Sequence, residues 1–319
     1  MVTHKIIAVA ALAALPFFAN AQDDINAILK KWSVITSGDL KSVNDIQGAA
    51  YVGGNVTVSQ SFVVGKDKSL SSSDISLAVR GNIVSGGDIH SEYGSVVVGG
   101  SVNGRNIGFN HGGTLTTENT SALPASPVAA VTSASQLWST FSANSTTTVD
   151  SAGKLCFNCS EGFSVAVFTI SASAFASDHD HGFDLTFADS TKDVIINIDG
   201  STWNMDAEHF FGDFKTEATH VIFNFYNATS INLTDAIYGY VIAPNADVNQ
   251  SNNFNGGVMA KMLTIGSEAN LVNWKSWEGN VPNVTAVPET STWVAGAFAS
   301  VALAFGLFRS RLTRKLVVK

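Results

Sequence analysis

Between Ile46 and Phe109 the chain alternates very short β-branched runs with glycine-rich breaks, and this alternation constrains the fold more than any other feature. Val56–Val58, Phe62–Val64, Ser76–Val79 and Val96–Val98 are each too short to be helices. The breaks between them are glycine pairs or Gly-Asn steps, residues that accept the positive φ of a tight turn. Three pairs, Gly86-Gly87, Gly99-Gly100 and Gly112-Gly113, recur at a spacing of 13. Regular turns between such short strands predict a chain that coils and stacks each turn on the last, a β-solenoid. The spacing is not kept upstream of Gly86, and a β-sandwich produces the same local signals.

A second block of the same texture is read from Leu233 to Leu263, in the stretch IYGYVIAPNADVNQSNNFNGGVMAKMLTIG. The two blocks are expected to form one coil, although a helix and a set of middle strands separate them in sequence. Those strands are read at Ser164–Ile170, Asp184–Phe187, Asp193–Ile198 and His220–Tyr226. The flanking helix is expected over Ser133–Ala143, with Leu137, Trp138 and Phe141 on one side, after a linker marked by Pro124 and Pro127. A shorter amphipathic helix is expected over Asp24–Trp32, where Ile25, Ile28, Leu29 and Trp32 follow helical spacing. Trp274 and Trp277 are expected to cap the end of the core. The fold class is therefore all-β: a β-solenoid body, one flanking α-helix and a short C-terminal transmembrane helix.

Both termini read as addresses. His4 and Lys5 precede an apolar run from Ile6 to Phe18, and Ala19-Asn20-Ala21 is a small-x-small cleavage pattern, so residues 1–21 are expected to be a secretory signal. The body is assigned to residues 22–282. Residues 283–319 hold Val287-Pro288-Glu289-Thr290, an apolar run over 294–308, then Arg309, Arg311, Arg314 and Lys315. Fifteen apolar residues fall short of the roughly 20 of an ordinary membrane helix, and the basic cluster belongs on the cytoplasmic side. This layout resembles the PEP-CTERM sorting signal, with Thr290 standing where that signal has its second proline. The resemblance implies an exosortase as processing partner.

Only 14% of the 319 residues are charged, against roughly 25% in an average domain, and the net charge is -8. A low-charge surface rich in Ser, Thr, Asn and Gly suits an exported protein. The negative balance argues against nucleic acid as partner, since phosphate binding needs clustered Lys and Arg.

Four segments carry a wider resemblance: GDL (Gly38–Leu40), DIQGAAYVGGN (Asp45–Asn55), NFYNATSINL (Asn224–Leu233) and APNADVNQSNNFNGGVMAKML (Ala243–Leu263). They are similar to the choice-of-anchor A domain, also described as an adhesive module, over about Val34 to Trp277. The resemblance implies a non-enzymatic adhesive or matrix protein at the surface of a Gram-negative bacterium, contacting extracellular polysaccharide or other cells. It brings no catalytic residue and no cofactor.

Residue chemistry adds a few candidates. Cys156-Phe157-Asn158-Cys159, in an exported chain with no second C-x-x-C, is expected to be a local disulfide rather than a redox or zinc site. Asp178-His179-Asp180-His181, near Asp184 and Asp189, is the densest cluster of metal-ligand types, yet it lacks the spacing of a calcium loop, and a solvated polar loop is the expectation. No Gly-x-Ser-x-Gly elbow supports a hydrolase. Two alternatives stay open: a polysaccharide-processing β-helix enzyme, predicting a groove with convergent carboxylates, and an ice-binding protein, predicting a flat Thr-rich face. Tyr51, Tyr93, Tyr226, Tyr238 and Tyr240 could stack on sugar rings if they share one face.

Overall fold

The computed structural model describes residues 24–42, 44–175, 182–205, 209–272 and 274–283. The signal segment, the Asp178–His181 cluster, Val287–Thr290 and the apolar run at 294–308 lie outside them. Among the described residues no helix is long and apolar enough to cross a membrane.

The described body is mostly β, built as a curled parallel sheet. Residues one rung apart pair in parallel, which a chain achieves only by going around. Val34–Thr36 pairs with Ala50–Val52, which pairs with Ile75–Val79, then Ser95–Val98, then Leu115–Thr116. These strands line the first face. A second face runs Leu40–Ser42, Val56–Val58, Ile83–Ser85, Val102–Gly104. A third runs through Ile46, Phe62–Val64, Ile89–Ser91 and Ile107–Phe109.

The two glycine-rich blocks join in the middle of the stack. Val258–Ile265 pairs on one side with Tyr240–Gln250 and on the other with both Val34–Thr36 and Leu40–Ser42. The chain thus starts mid-stack, winds to one end at Leu115–Thr116, crosses alongside, and winds back from the other end at Val165–Ser171. Tyr240–Gln250 turns the corner between first and second faces at Pro244, where the register shifts between Ala243 and Asp247. Proline has no N–H for the ladder, so pairing lapses there and the strand bends.

Glycine spacing 13 is not the pitch. Asn82 and Ser101, stacked neighbours, are 19 residues apart. Gly86-Gly87, Gly99-Gly100 and Gly112-Gly113 instead fall at every second corner, each two faces further on. The repeat that stacks is a Gly-Asx corner: the N–H groups of Gly54, Gly81 and Gly100 donate to the carbonyls of Gly38, Gly54 and Gly81. The side chains of Asp39, Asn55 and Asn82 accept from the N–H of Asn55, Asn82 and Ser101 at 2.7, 2.9 and 2.9 Å. A Cβ at Gly81 would stand 2.5 Å from the Asn55 amide oxygen and 2.7 Å from the Gly54 carbonyl, so this corner admits only glycine.

The interior is mainly apolar, with Ser42, Ser85, Ser91 and Gln250 among the few buried polar side chains. Val, Ile and Leu fill the narrow turns, while Phe157, Phe168, Phe183, Phe210, Phe214 and Trp203 fill the wider ones. Width follows rung length: 28 residues separate Asn204 from Asn232, but 17 separate Asn232 from Asn249.

Two helices cover the outer side of the first face. α1 (Ile25–Lys31) starts at Asp24, whose carboxylate accepts from the Asn26 N–H, and buries Ile25, Ile28 and Leu29. α2 (Val128–Ser139) begins five residues earlier than its sequence pattern suggests, directly after Pro127, and its buried stripe is Val131, Ala134, Ser135 and Trp138. Small residues in that stripe let the helix approach the sheet closely, and a stripe of small residues gives no large-apolar signal. Trp277 packs in this same lateral layer, edge-on to Tyr240 with ring centroids 5.1 Å apart, and does not cap the coil end. Trp274 is 61% exposed.

Candidate interaction face

Each strand of the second face presents a triplet whose middle residue points out, and in all but the last of them the two outer residues point inward. WNM, INL, VNQ, LTI, LKS, VTV, IVS and VNG stack in that order along the coil. Their middle residues form one outward column: Asn204, Asn232, Asn249, Thr264, Lys41, Thr57, Val84 and Asn103. At about 4.8 Å per rung this column runs roughly 34 Å. No helix lies over it among the described residues; Val84, the apolar member, is 51% exposed.

The asparagines lock one another. Asn232 Nδ2 donates to Asn204 Oδ1 at 2.6 Å, and Asn249 Nδ2 donates to Asn232 Oδ1 at 3.2 Å. Each of these donating amides gives one N–H to its neighbour and keeps a second N–H for a ligand. Beside this column run Thr202, Ser230 and Asp247, then the Asp39, Asn55, Asn82, Ser101 corner. The charges are few: Lys41 in the column, Asp39 tied to Asn55, and Asp247 at 3.6 Å from Lys261. Such a face offers many weak, neutral hydrogen bonds held in a fixed array.

Sequence reading missed these residues because they lie in separate triplets. The signal available was the recurring apolar-polar-x triplet, visible once strands three residues long are expected.

The residues singled out from sequence are scattered. Cys156 and Cys159 are free thiols. Three steps along extended backbone span about 10 Å, beyond disulfide reach, and the two point to opposite sides. Cys156 Sγ faces the Lys154 carbonyl at 3.7 Å, while Cys159 packs against the core, where burial pushes its thiol up to about 11. The five tyrosines do not share a face: Tyr51 and Tyr240 are buried beneath the helices, Tyr93 sits in the bend between Ile89–Ser91 and Ser95–Val98, and Tyr238 ends the strand Ile237–Tyr238. Among the described residues no group of three or more His, Cys, Asp and Glu is placed to hold a metal ion. In one cleft between α1 and the 66–74 loop two carboxylates occur, but Asp67 accepts the Ser69 N–H and Asp74 the Ser71 N–H, both as turn caps.

Two charged contacts position the C-terminal segment. Buried Asp193 accepts the Asn280 N–H at 3.0 Å and lies 3.0 Å from His220 Nδ1, and this hydrogen bond raises the His220 pKa above its ordinary value.

Comparison with curated proteins and with solved structures gave no match. A family model described as "Putative Ice-binding-like adhesive domain" matches residues 25–271, from the first turn of α1 through the last paired strands of the stack. A coil with helices on one side and an uncovered polar face on another, matched over most of its length, belongs to the ice-binding-like adhesive domain family.

Proposed function

We propose that this chain is an exported, non-enzymatic adhesive protein that holds extracellular polysaccharide or neighbouring cell surfaces through its second face. The observation that carries this reading is the uncovered outward column from Asn204 to Asn103. Individual hydrogen bonds exchanged against water are worth only about 1 kcal/mol, so binding to a repetitive polymer comes from many registered contacts. Residues 1–21 would direct export. The 283–319 tail, with Val287, Pro288, Glu289 and Thr290 as sorting motif and 294–308 as its transient membrane segment, would be processed by an exosortase and leave the body at the cell surface or in the matrix. The repeated rungs support a β-solenoid as the complete description of the body.

The test has two arms. A tag inserted between residues 284 and 288 is followed by fractionation with and without exosortase; release from the membrane only in its presence supports sorting, and retention in both sinks it. Independently, purified protein is assayed on polysaccharide-coated surfaces, where loss of binding in a second-face variant is expected. Ice is the second ligand that the family description brings forward. Thr264 and Thr57 stand in the column but Lys41 separates them, which interrupts the regular threonine array an ice face requires. Measurable thermal hysteresis would favour ice over polymer.

A further inference from the structure

At the corner between the third and first faces, successive rungs stack Lys66, Glu92-Tyr93 and Asn110-His111. The Tyr93 N–H donates to the Gly65 carbonyl at 3.0 Å and the His111 N–H to the Glu92 carbonyl at 3.1 Å. The Tyr93 ring lies on the His111 imidazole, centroids 4.3 Å apart and planes 17° apart. Glu92 accepts from Asn110 Nδ2 at 2.7 Å and lies 3.1 Å from His111 Nδ1. Lys66 is fixed by Asp45 at 2.5 Å. Trp274, in the turn between Val272 and Lys275, lines an open cleft of about 290 Å³ with Lys66, Lys68, Glu92 and Tyr93.

Trp274 is out of place as a packing residue. It is 61% exposed, and its φ is +64°, a backbone state that glycine adopts freely and a bulky side chain resists. The tight turn that holds it is closed by the Lys275 N–H donating to the Val272 carbonyl at 2.9 Å. Neither burial nor backbone preference accounts for a tryptophan there, and such outliers concentrate where a ligand is clamped. An aromatic face lining the same cleft as a stacked tyrosine can take the C–H face of a sugar ring, while a carboxylate and two ammonium groups reach its hydroxyls.

We propose that this cleft binds a single pyranose unit of a polysaccharide, with Trp274 and Tyr93 as platform and Glu92, Lys66 and Lys68 as hydrogen-bonding partners. The proposal rests on the adhesive reading for the polymer class, but its residues are distinct from the second face. A neutral sugar engages Glu92 and the lysines through hydroxyls; a uronate adds a charge contact to Lys68.

The experiment uses the full-length chain in detergent micelles, titrated with a neutral glucan tetrasaccharide and with tetragalacturonate while tryptophan fluorescence and binding heat are recorded. A saturable response to at least one sugar is expected. Trp274→Gly should abolish it, with Tm unchanged or raised by about 2 °C as the backbone relaxes. Trp274→Phe should retain weaker binding, and Tyr93→Ala should weaken it at least tenfold. Lys68→Ala should weaken the uronate alone if that sugar is preferred. The cleft assignment is overturned if neither sugar responds, or if Trp274→Gly binds as wild type. Asn249→Ala separates the two readings: it should leave tetrasaccharide binding intact while lowering adhesion to polymer. Loss of adhesion there with no tetrasaccharide response removes the cleft and keeps the adhesive face.

Discussion

Asparagine ladders run up two faces of this coil and do opposite things. On the first face Asn224 Nδ2 donates to Asn197 Oδ1 at 2.8 Å, much as Asn232 donates to Asn204 on the second. The first ladder is buried and commits its remaining groups to α2: Ser135 Oγ donates to Asn224 Oδ1 at 2.6 Å, and Asn197 Nδ2 donates to the Trp138 carbonyl at 2.8 Å. The second ladder has no helix over it and keeps those groups for solvent or ligand. One strand can carry both regimes, since Tyr240–Gln250 places Ile242 under the helices and Asn249 in the open. A buried amide must be fully paired, so the helix-covered face is a structural device. An exposed amide need not be, which leaves the bare face free for the contacts proposed for it.

This contrast can be broken in measured steps. Trp138→Ala should cost the most, about 4 kcal/mol, because it empties a fully buried site between α2 and the sheet. A denaturant midpoint close to wild type would show that the helix is dispensable. Asn224→Ala should cost about 2–3 kcal/mol, since Asn197 and Ser135 lose their partner inside the protein. The matching change on the open ladder, Asn232→Ala, should cost less than about 0.5 kcal/mol while lowering polymer adhesion roughly fivefold. Equal stability losses for the two asparagines would erase the distinction between the faces.

Two smaller effects sharpen it further. His220 is raised in the folded state by its hydrogen bond to Asp193, so its contribution to stability is complete below the unfolded value near 6.5 and fades as pH rises through the folded one. Thermal scans should show wild type losing stability between about pH 6 and 8 more steeply than His220→Gln; parallel slopes would remove this clamp on the C-terminal segment. Lys41→Thr, finally, would leave folding unchanged and join Thr264 and Thr57 into an unbroken threonine run over consecutive rungs. A gain in thermal hysteresis would move the ligand towards ice, and unchanged adhesion would show that the lysine is not used.

Much of this was legible in the residues. The Asp24–Trp32 pattern matched α1 to within a residue at each end, because caps and 3.6-residue spacing are local properties. The expectation that Ile46–Phe109 and Leu233–Leu263 share one coil agrees with the pairing of Val258–Ile265 to Val34–Thr36 and Leu40–Ser42. The pitch was not legible, since the corner residues that stack are 16, 27 and 19 apart, the long step containing the 66–74 loop. Neither was Trp277, because its partner Tyr240 comes from a strand on a different rung. The C-x-x-C pair failed for a related reason: spacing alone does not say that a strand will hold two cysteines apart.

What the sequence by itself determined is the material of the fold: short β runs, glycine corners, two amphipathic helices and a low-charge surface, each set by backbone preference and local periodicity. Only the tertiary structure decided which face those helices cover. An outward asparagine looks the same in VIFN and in SINL until long-range strand pairing puts one beneath α2 and leaves the other in water. That choice depends on contacts between residues far apart in the chain, and from it follows which surface is left free to bind.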